Sequence, residues 1–316
     1  MTLIFVPTAV SSFFTIEGLD ENGNPVVPAQ LVGARGGGFK LALGTYTKVE
    51  RRLDKKEGDG GYGDRVIFNG NPITDSTTHK VIAIIRGRFN FKGSLLVHHR
   101  VPLPWGSGFG TSASTALGAS VAILMAFRAR VTLKTAAQIA HQAELMAHTG
   151  LGTVGSFYAS AGCGGLITRA GGPGVCELEP FLEDYSEYVI VATTLRPRPK
   201  GPVFMSRELT YEINRNGLDT LEKISKNPNA AVLLKESRIF ADRTGFMTDE
   251  VSSICDMMIK GGAIGATQNM IGDAAHCVVS RTKSEKLANE LRDAYPKGVT
   301  QVSEFWEGGV RIVRER

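Results

Sequence analysis

Cysteine is scarce in this chain, and nothing about its placement suggests chemistry. Cys163, Cys176, Cys255 and Cys277 form no Cys-x-x-Cys pair and have no histidine at metal-ligand spacing, so free thiols in a reducing cytosol are expected. Dense runs of Lys or Arg are missing too. The 36 basic side chains outweigh 31 acidic ones by a net charge of +5, which is too even for a nucleic-acid face but suits a small anionic substrate. No apolar stretch reaches membrane length, since the longest, residues 116–127, falls short of the roughly 18 residues a span requires. The opening MTLIFVPTAVSSFFTIEG is apolar, yet it lacks a basic leader, Pro7 interrupts it and an acidic turn follows. A first strand rather than a signal peptide is expected there. Repeats and long low-complexity tracts are absent. With 316 residues and 42% hydrophobic content, the expectation is a cytoplasmic protein with a sizeable core and neither a membrane nor a nucleic acid as partner.

What is present divides in two. LIFVPTAVSSFFTIEG, FKLALGTYTKVERRL and RVIFNGNPI read as strands and hairpins, with a turn at Asn69-Gly70. DKKEGDGGYGD, residues 54–64, reads as a charged exposed loop, THKVIAIIRGRF as a helix and GSLLVHHRVPLP as a strand. Residues 112–130 are apolar on nearly every face, the pattern of a helix inside a core. TLKTAAQIAHQAELMAHTG is a further helix, with Thr135 as N-cap and Gly150 as C-cap. GCGGLITRAGGPGV returns to strand and turn. From Tyr185 the pattern starts afresh, with a strand in YVIVATTL and a basic, proline-rich loop in RPRPKGP. Helices at 219–225, 230–244 and 248–260 follow, then a strand in AAHCVVSRT and a closing hairpin in GVTQVSEFWEGGVRIVRE. The fold class is therefore α+β in two lobes, residues 1–180 and 181–316. His98 and His99 point to opposite faces of a strand, and His141 and His148 read as surface or packing residues.

Chemistry concentrates in VPLPWGSGFGTSASTALGASVAILMAF, residues 101–127. Gly106, Gly108 and Gly110 remove Cβ atoms where a ligand must approach the main chain. Thr111, Ser112 and Ser114 add hydroxyls at the opening of a helix whose free N–H groups carry partial positive charge. Strand, glycine loop and helix N-terminus in that order make an anion site suited to phosphate. Two familiar phosphate loops do not fit. A Walker A loop needs Lys directly before Ser/Thr, and Gly110-Thr111-Ser112 has none. A dinucleotide fingerprint needs its third glycine where Ser112-Ala113 stand.

PLPWGSGFGTSAS resembles the phosphate-binding motif of the GHMP kinases, which runs Pro, a few residues, then Gly-Leu-Gly-Ser-Ser-Ala. Phe109 stands for the Leu and Thr111 for the first Ser. FVPTAVSSFF, GARGGGFKLALGTYTKV, AHQAELMAHTGLGTVG, TQNMIGDAAHCVV and EFWEGGVRIV resemble, in order, segments of the archaeal pantoate kinase branch. The likeness covers nearly the whole chain. It implies a two-lobed fold with the active site in the cleft between lobes, and ATP and Mg²⁺ as cofactors. By that resemblance Pro104, Gly106, Ser107, Gly108, Phe109, Gly110, Thr111, Ser112, Ala113 and Ser114 would cradle the ATP phosphates. Ser112 would face Mg²⁺, with Glu144 as its carboxylate partner. Mg²⁺ prefers hard oxygen ligands and keeps several waters, so one hydroxyl and one carboxylate suffice.

Three departures bear on the acceptor. Pantoate kinases read Gly-Leu-Gly-Asp-Val where this chain has Gly150-Leu151-Gly152-Thr153-Val154, and a threonine cannot act as a carboxylate base. Phosphoryl transfer depends mostly on positioning and charge neutralisation, so kinase chemistry survives the change. They also carry Gly-His-Ile-Thr-Gly-Phe-Phe where Thr8-Ala9-Val10-Ser11-Ser12-Phe13-Phe14 stand. Thr8, Ser11 and Ser12 are the polar candidates in that acceptor-lining segment. LRPRPKGP brings Arg196, Arg198 and Lys200 together, and with Arg35 they suit an acceptor bearing a carboxylate and a phosphate. Thr153 and Arg196 are the candidate catalytic positions; Arg35, Arg198 and Lys200 are candidate substrate ligands. A pantoate-kinase-like chain with these changes resembles the mevalonate 3-phosphate 5-kinases of Thermoplasma-type archaea. The implied reaction makes mevalonate 3,5-bisphosphate in archaeal isoprenoid synthesis. The alternatives are a pantoate kinase of archaeal coenzyme A synthesis and a nucleotide-binding pseudokinase. A homodimer is left open.

Overall fold

A computed structural model describes residues 2–18, 26–52, 63–74, 76–159, 162–198 and 207–314. Two long antiparallel strands form its spine, β1 (Thr2–Phe14) and β2 (Gly36–Arg52). Their register shifts twice, once between Val6 and Thr8 and once between Ser11 and Phe13. Pro7 sits at the first shift, where a residue without an N–H costs no ladder bond. The sheet continues with β3 (Arg65–Phe68), β4 (Asn71–Ile73) and β5 (Ser94–Arg100), while β6 (Gly164–Arg169) and β7 (Glu177–Pro180) branch from β2. Asn69 and Gly70, at φ of 47° and 86°, make the β3–β4 turn that an Asn-Gly pair favours.

Helices α1 (Thr77–Phe89), α2 (Thr111–Ala126) and α3 (Leu133–Met146) build one core with this sheet, and the short α4 (Thr153–Tyr158) adds Val154 and Phe157. Every α2 residue from Thr111 to Leu124 is buried, as its all-round apolar pattern requires. A second, wholly antiparallel sheet has the order β11-β8-β10-β9. Its strands are β8 (Tyr188–Arg196), β9 (Gly265–Gln268), β10 (Asp273–Ser280) and β11 (Val299–Ser303). Helices α5 (Arg207–Lys226), α6 (Ala230–Arg243), α7 (Asp249–Lys260) and α8 (Arg281–Ala294) accompany it. The two sheets share a core, in which Val10, Phe13 and Leu41 meet Ile190, Val278 and Phe240.

Several details differ from the sequence reading. The cap of α3 is Thr132, whose hydroxyl accepts the Thr135 N–H at 3.2 Å, and the helix ends at Ala147 rather than Gly150. Helix α5 begins by Arg207, well before residue 219, and α8 was not anticipated. The closing segment is not a hairpin: β11 joins the second sheet, whereas β12 (Arg311–Arg314) returns to pair with β1. Strands β1–β7 and β12 thus belong to the first sheet, and β8–β11 to the second. Residues 54–62 of the charged loop lie outside the described residues. No described helix is long and apolar enough to cross a membrane.

Candidate active site

The loop between β5 and α2 bends at three glycines, and each bend uses the left-handed region. Gly106, Gly108 and Gly110 have φ of 73°, 82° and 63°, a conformation that costs other residues free energy. Their surroundings are protein atoms. A Cβ on Gly108 would sit 2.7 Å from the Cβ of Asn269, and one on Gly110 would sit 2.8 Å from Cγ2 of Thr153. The glycines are therefore demanded first by the loop's own path and packing, and only then by any ligand.

Neighbours on both sides fix the loop. The Phe109 carbonyl accepts the Ala9 N–H of β1 at 3.1 Å. From the second lobe, the Arg198 N–H donates to the Gly106 carbonyl at 3.0 Å, and Asn269 Nδ2 donates to the Ser107 carbonyl at 3.3 Å. Past Gly110, the first bond of α2 runs from the Ser114 N–H to the Gly110 carbonyl at 3.0 Å. The amides of Thr111, Ser112 and Ala113 precede it and form the positive end of the helix.

Glu144 lies beside that end. It comes from α3, is 1% exposed and accepts a hydrogen bond from Thr149 Oγ1 at 3.0 Å. Ser112 Oγ points to the carbonyl of the same Thr149 at 3.5 Å. A Cβ on Gly150 would fall 2.5 Å from Glu144 Oε2, so a glycine there gives the carboxylate its room. A buried carboxylate next to a serine hydroxyl at a helix N-terminus is a donor set that fits Mg²⁺, with water and phosphate oxygens completing the shell.

Two clefts flank this point, one reaching Thr149 and the other Gly150. One is lined by Phe68, Lys80, Leu103, Trp105, His148 and Thr149. The other runs under β1 and the glycines of β2 and is lined by Ser11, Arg35, Lys40, Gly110, Gly150 and Thr153, among others. Its void is about 1040 Å³ with its open mouth included. Close strand contact shapes it: a Cβ on Gly38 would sit 2.0 Å from the Val10 carbonyl.

The remaining sequence candidates are placed as follows. Ser11 and Arg35 line the second cleft; Thr8 and Ser12 do not. The Thr8 hydroxyl donates to the Leu43 carbonyl at the register shift, and Ser12 Oγ is 2.9 Å from His276 Nε2. Arg35 is held by Glu17, Nε to Oε1 at 2.6 Å, and this hydrogen bond raises its pKa. Arg196 pairs with Asp273 at 2.6 Å and Glu250 at 2.5 Å, while Arg198 pairs with Asp273 at 2.6 Å. Neither arginine lines the second cleft, so the expected clamp on the acceptor is instead a clamp between protein groups at the Gly106 end of the loop. Lys200 lies outside the described residues. Ser114 is fully buried against Thr45 Oγ1 at 2.6 Å and serves packing, as does the Ala113 side chain. Pro104 belongs to the Trp105 cleft rather than to the bend itself.

Sequence reasoning missed Lys40, Asn269 and the Trp105 cleft. Lys40 is 6% exposed, and a lysine amid the glycines and apolar residues of GGGFKLALG was the available signal. Asn269 stands in a segment already singled out, but only the fold brings it to Ser107. Of the candidate positions, Ser112 and Glu144 are joined through Thr149, and Thr153 packs against Gly110 at the head of the same helix.

Residues 76–161 match the family model described as the GHMP kinases N-terminal domain. A pantoate kinase from Thermococcus kodakarensis is 28% identical over 298 residues, 92% of this chain and 91% of that one. Among solved structures, one described as a phosphotransferase related to the CoA biosynthesis pathway superposes with a TM-score of 0.83 at 25% identity, covering 99% of both chains. A mevalonate kinase from Methanococcus jannaschii has a TM-score of 0.66 at 13% identity, covering 96% of this chain and 98% of that one, a likeness of fold alone. The chain carries a GHMP kinase N-terminal domain and is a phosphotransferase of the GHMP kinase type, with an alcohol group as acceptor. Within that class, its sequence is similar to pantoate kinases along nearly its whole length.

Proposed function

We propose that the protein transfers the terminal phosphoryl group of ATP to a hydroxyl of a small anionic hydroxy acid, with pantoate as the acceptor. One observation carries the reading: the N-terminus of α2 and the buried carboxylate of Glu144 are flanked by two clefts, one reaching Thr149 and the other Gly110 and Gly150. In this reading the nucleoside occupies the Trp105 cleft and the acceptor lies under the β2 glycines. The triphosphate passes between them across the amides of Thr111, Ser112 and Ala113, where the helix end favours negative charge. Mg²⁺, when held by Ser112 and Glu144, neutralises charge on the phosphate oxygens.

Thr153 opens α4 with its Cγ2 toward Gly110, and it lines the acceptor cleft close to the phosphate loop. It can orient the acceptor alcohol by a hydrogen bond, but it cannot remove the proton. General-base assistance is typically worth about 10²–10⁴ in rate. Because the transition state of phosphoryl transfer is loose, in-line positioning and charge stabilisation supply most of the acceleration, and the proton leaves late.

Mevalonate 3-phosphate is the second reading, favoured by Thr153 standing where pantoate kinases read Asp. Its other support has weakened, because Arg196 and Arg198 are engaged by Asp273 and Glu250. A coupled ADP-release assay with both acids decides. Higher kcat/KM on pantoate is expected; higher kcat/KM on mevalonate 3-phosphate reverses the order. Binding of Mg-ATP with no turnover of either acid would instead favour a pseudokinase.

A further inference from the structure

The cations lining the acceptor cleft differ in how they are partnered. Arg35 is matched by Glu17 through two hydrogen bonds, at 2.6 and 3.2 Å. Glu179 is exposed at the end of β7. Lys40, by contrast, is 6% exposed, and its Nζ donates to the Gly308 carbonyl at 3.2 Å. Among the described residues it forms no ion pair. Burial lowers its pKa, against weaker upward pulls from Cys163 and Glu307. Burying an ammonium group is costly unless an anion compensates, and a carbonyl is a poor substitute for one. Yet Lys40 is among the residues that line a cleft, where a ligand can supply what the protein does not.

We propose that Lys40 binds the carboxylate of the acceptor and is the residue by which this cleft selects an acid over a neutral alcohol. The inference rests on the kinase reading above and goes further by naming the group recognised and the residue that recognises it. Its geometry has three supports. Lys40 pairs with Ala9 across the β1–β2 ladder, at the segment that lines the cleft. Its main-chain N–H donates to the Cys163 carbonyl at 2.6 Å and its carbonyl accepts from the Trp306 N–H at 3.1 Å, which fixes the base of the side chain. A single ammonium group on such a base matches one carboxylate. In this role the lysine is a specificity-determining residue, and its loss should leave the nucleotide side intact.

The test compares the acceptor acid with its primary amide, in the wild type and in Lys40→Met and Lys40→Arg. Methionine keeps the length and removes the charge, so its melting temperature should equal or exceed that of the wild type. The wild type should prefer acid over amide by about tenfold to a hundredfold in kcat/KM, the size of one charge-assisted hydrogen bond. In K40M that preference should shrink to about twofold or less, with the acceptor KM raised and the ATP KM unchanged. K40R should retain most of it. An acid preference that survives in K40M overturns the assignment, as does a parallel rise in the ATP KM. If K40M does not fold, a wild type that uses acid and amide equally overturns it too. Failure of the wild type to phosphorylate any acid is a separate outcome, and it removes the kinase reading along with this one.

Discussion

Glu144 combines two properties that seldom serve stability together: it is a carboxylate, and it is 1% exposed. Burying a carboxylate carries a desolvation cost, so a neutral replacement of the same shape relieves that cost. Glutamine can still accept the Thr149 hydroxyl bond seen at 3.0 Å. If Glu144 serves as a metal ligand, Glu144→Gln should melt at the same temperature as the wild type or above it, while kcat/KM falls about 10²-fold or more. Thermal melts and the ADP-release assay on one preparation check both halves. A variant that loses stability and activity together would mark Glu144 as a structural group only. Ser112 and Glu144 stood out in the sequence because a motif resemblance singles them out. Lys40 did not, because its significance lies in having no ion pair among the described residues, and that is a property of the fold.

At the scale of elements, the strand–loop–helix order around Gly106–Gly110 was readable, since glycine, hydroxyl and apolar-helix signals agree over one short stretch. The Asn69-Gly70 turn and the buried α2 were readable for the same reason. Long-range features were not. Nothing local announces that β12 leaves β11 to pair with β1, or that Asp273 of β10 will face Arg196 at the end of β8 and Arg198 just beyond it. That last contact reassigns Arg196 and Arg198. The Asp273 side chain is 4% exposed and lies 2.6 Å from each arginine, while the Arg198 N–H holds the Gly106 carbonyl. The end of β8 is thereby tied to the phosphate loop. Asp273→Asn should lower the melting temperature by several degrees and raise the KM for ATP more than that for the acceptor. A selective rise in the acceptor KM would return these arginines to the acceptor site.

Across the whole molecule, the shared core makes the two sheets one cooperative unit, and a buried histidine sits in each. His99 of β5 lies between Thr47 Oγ1 at 2.8 Å and Thr78 Oγ1 at 3.0 Å, with Phe68 beside its ring. His276 of β10 meets Ser12 of β1 at 2.9 Å and the Phe39 ring, which links the second sheet to the first. Burial holds both pKa values down at about 3, helped at His99 by the neighbouring His98. In the unfolded chain each returns to the ordinary 6.5. A depressed folded pKa means stability that is fully present above 6.5 and is lost as pH falls toward 3. In that window the unfolded state holds one more proton per histidine, so each contributes a slope of about 1.4 kcal/mol per pH unit. Because the core joins the sheets, both slopes should appear in a single unfolding transition. Urea denaturation between about pH 7 and pH 5, above the carboxylate range, should show stability falling by about 2–3 kcal/mol per unit at the lower end. His276→Gln should reduce that slope by about 1.4 kcal/mol per pH unit, with His141, also lowered by burial, still contributing. A flat profile would mean that the folded protein takes up these protons as readily as the unfolded chain, and two separate transitions would mean that the sheets do not share one core in solution.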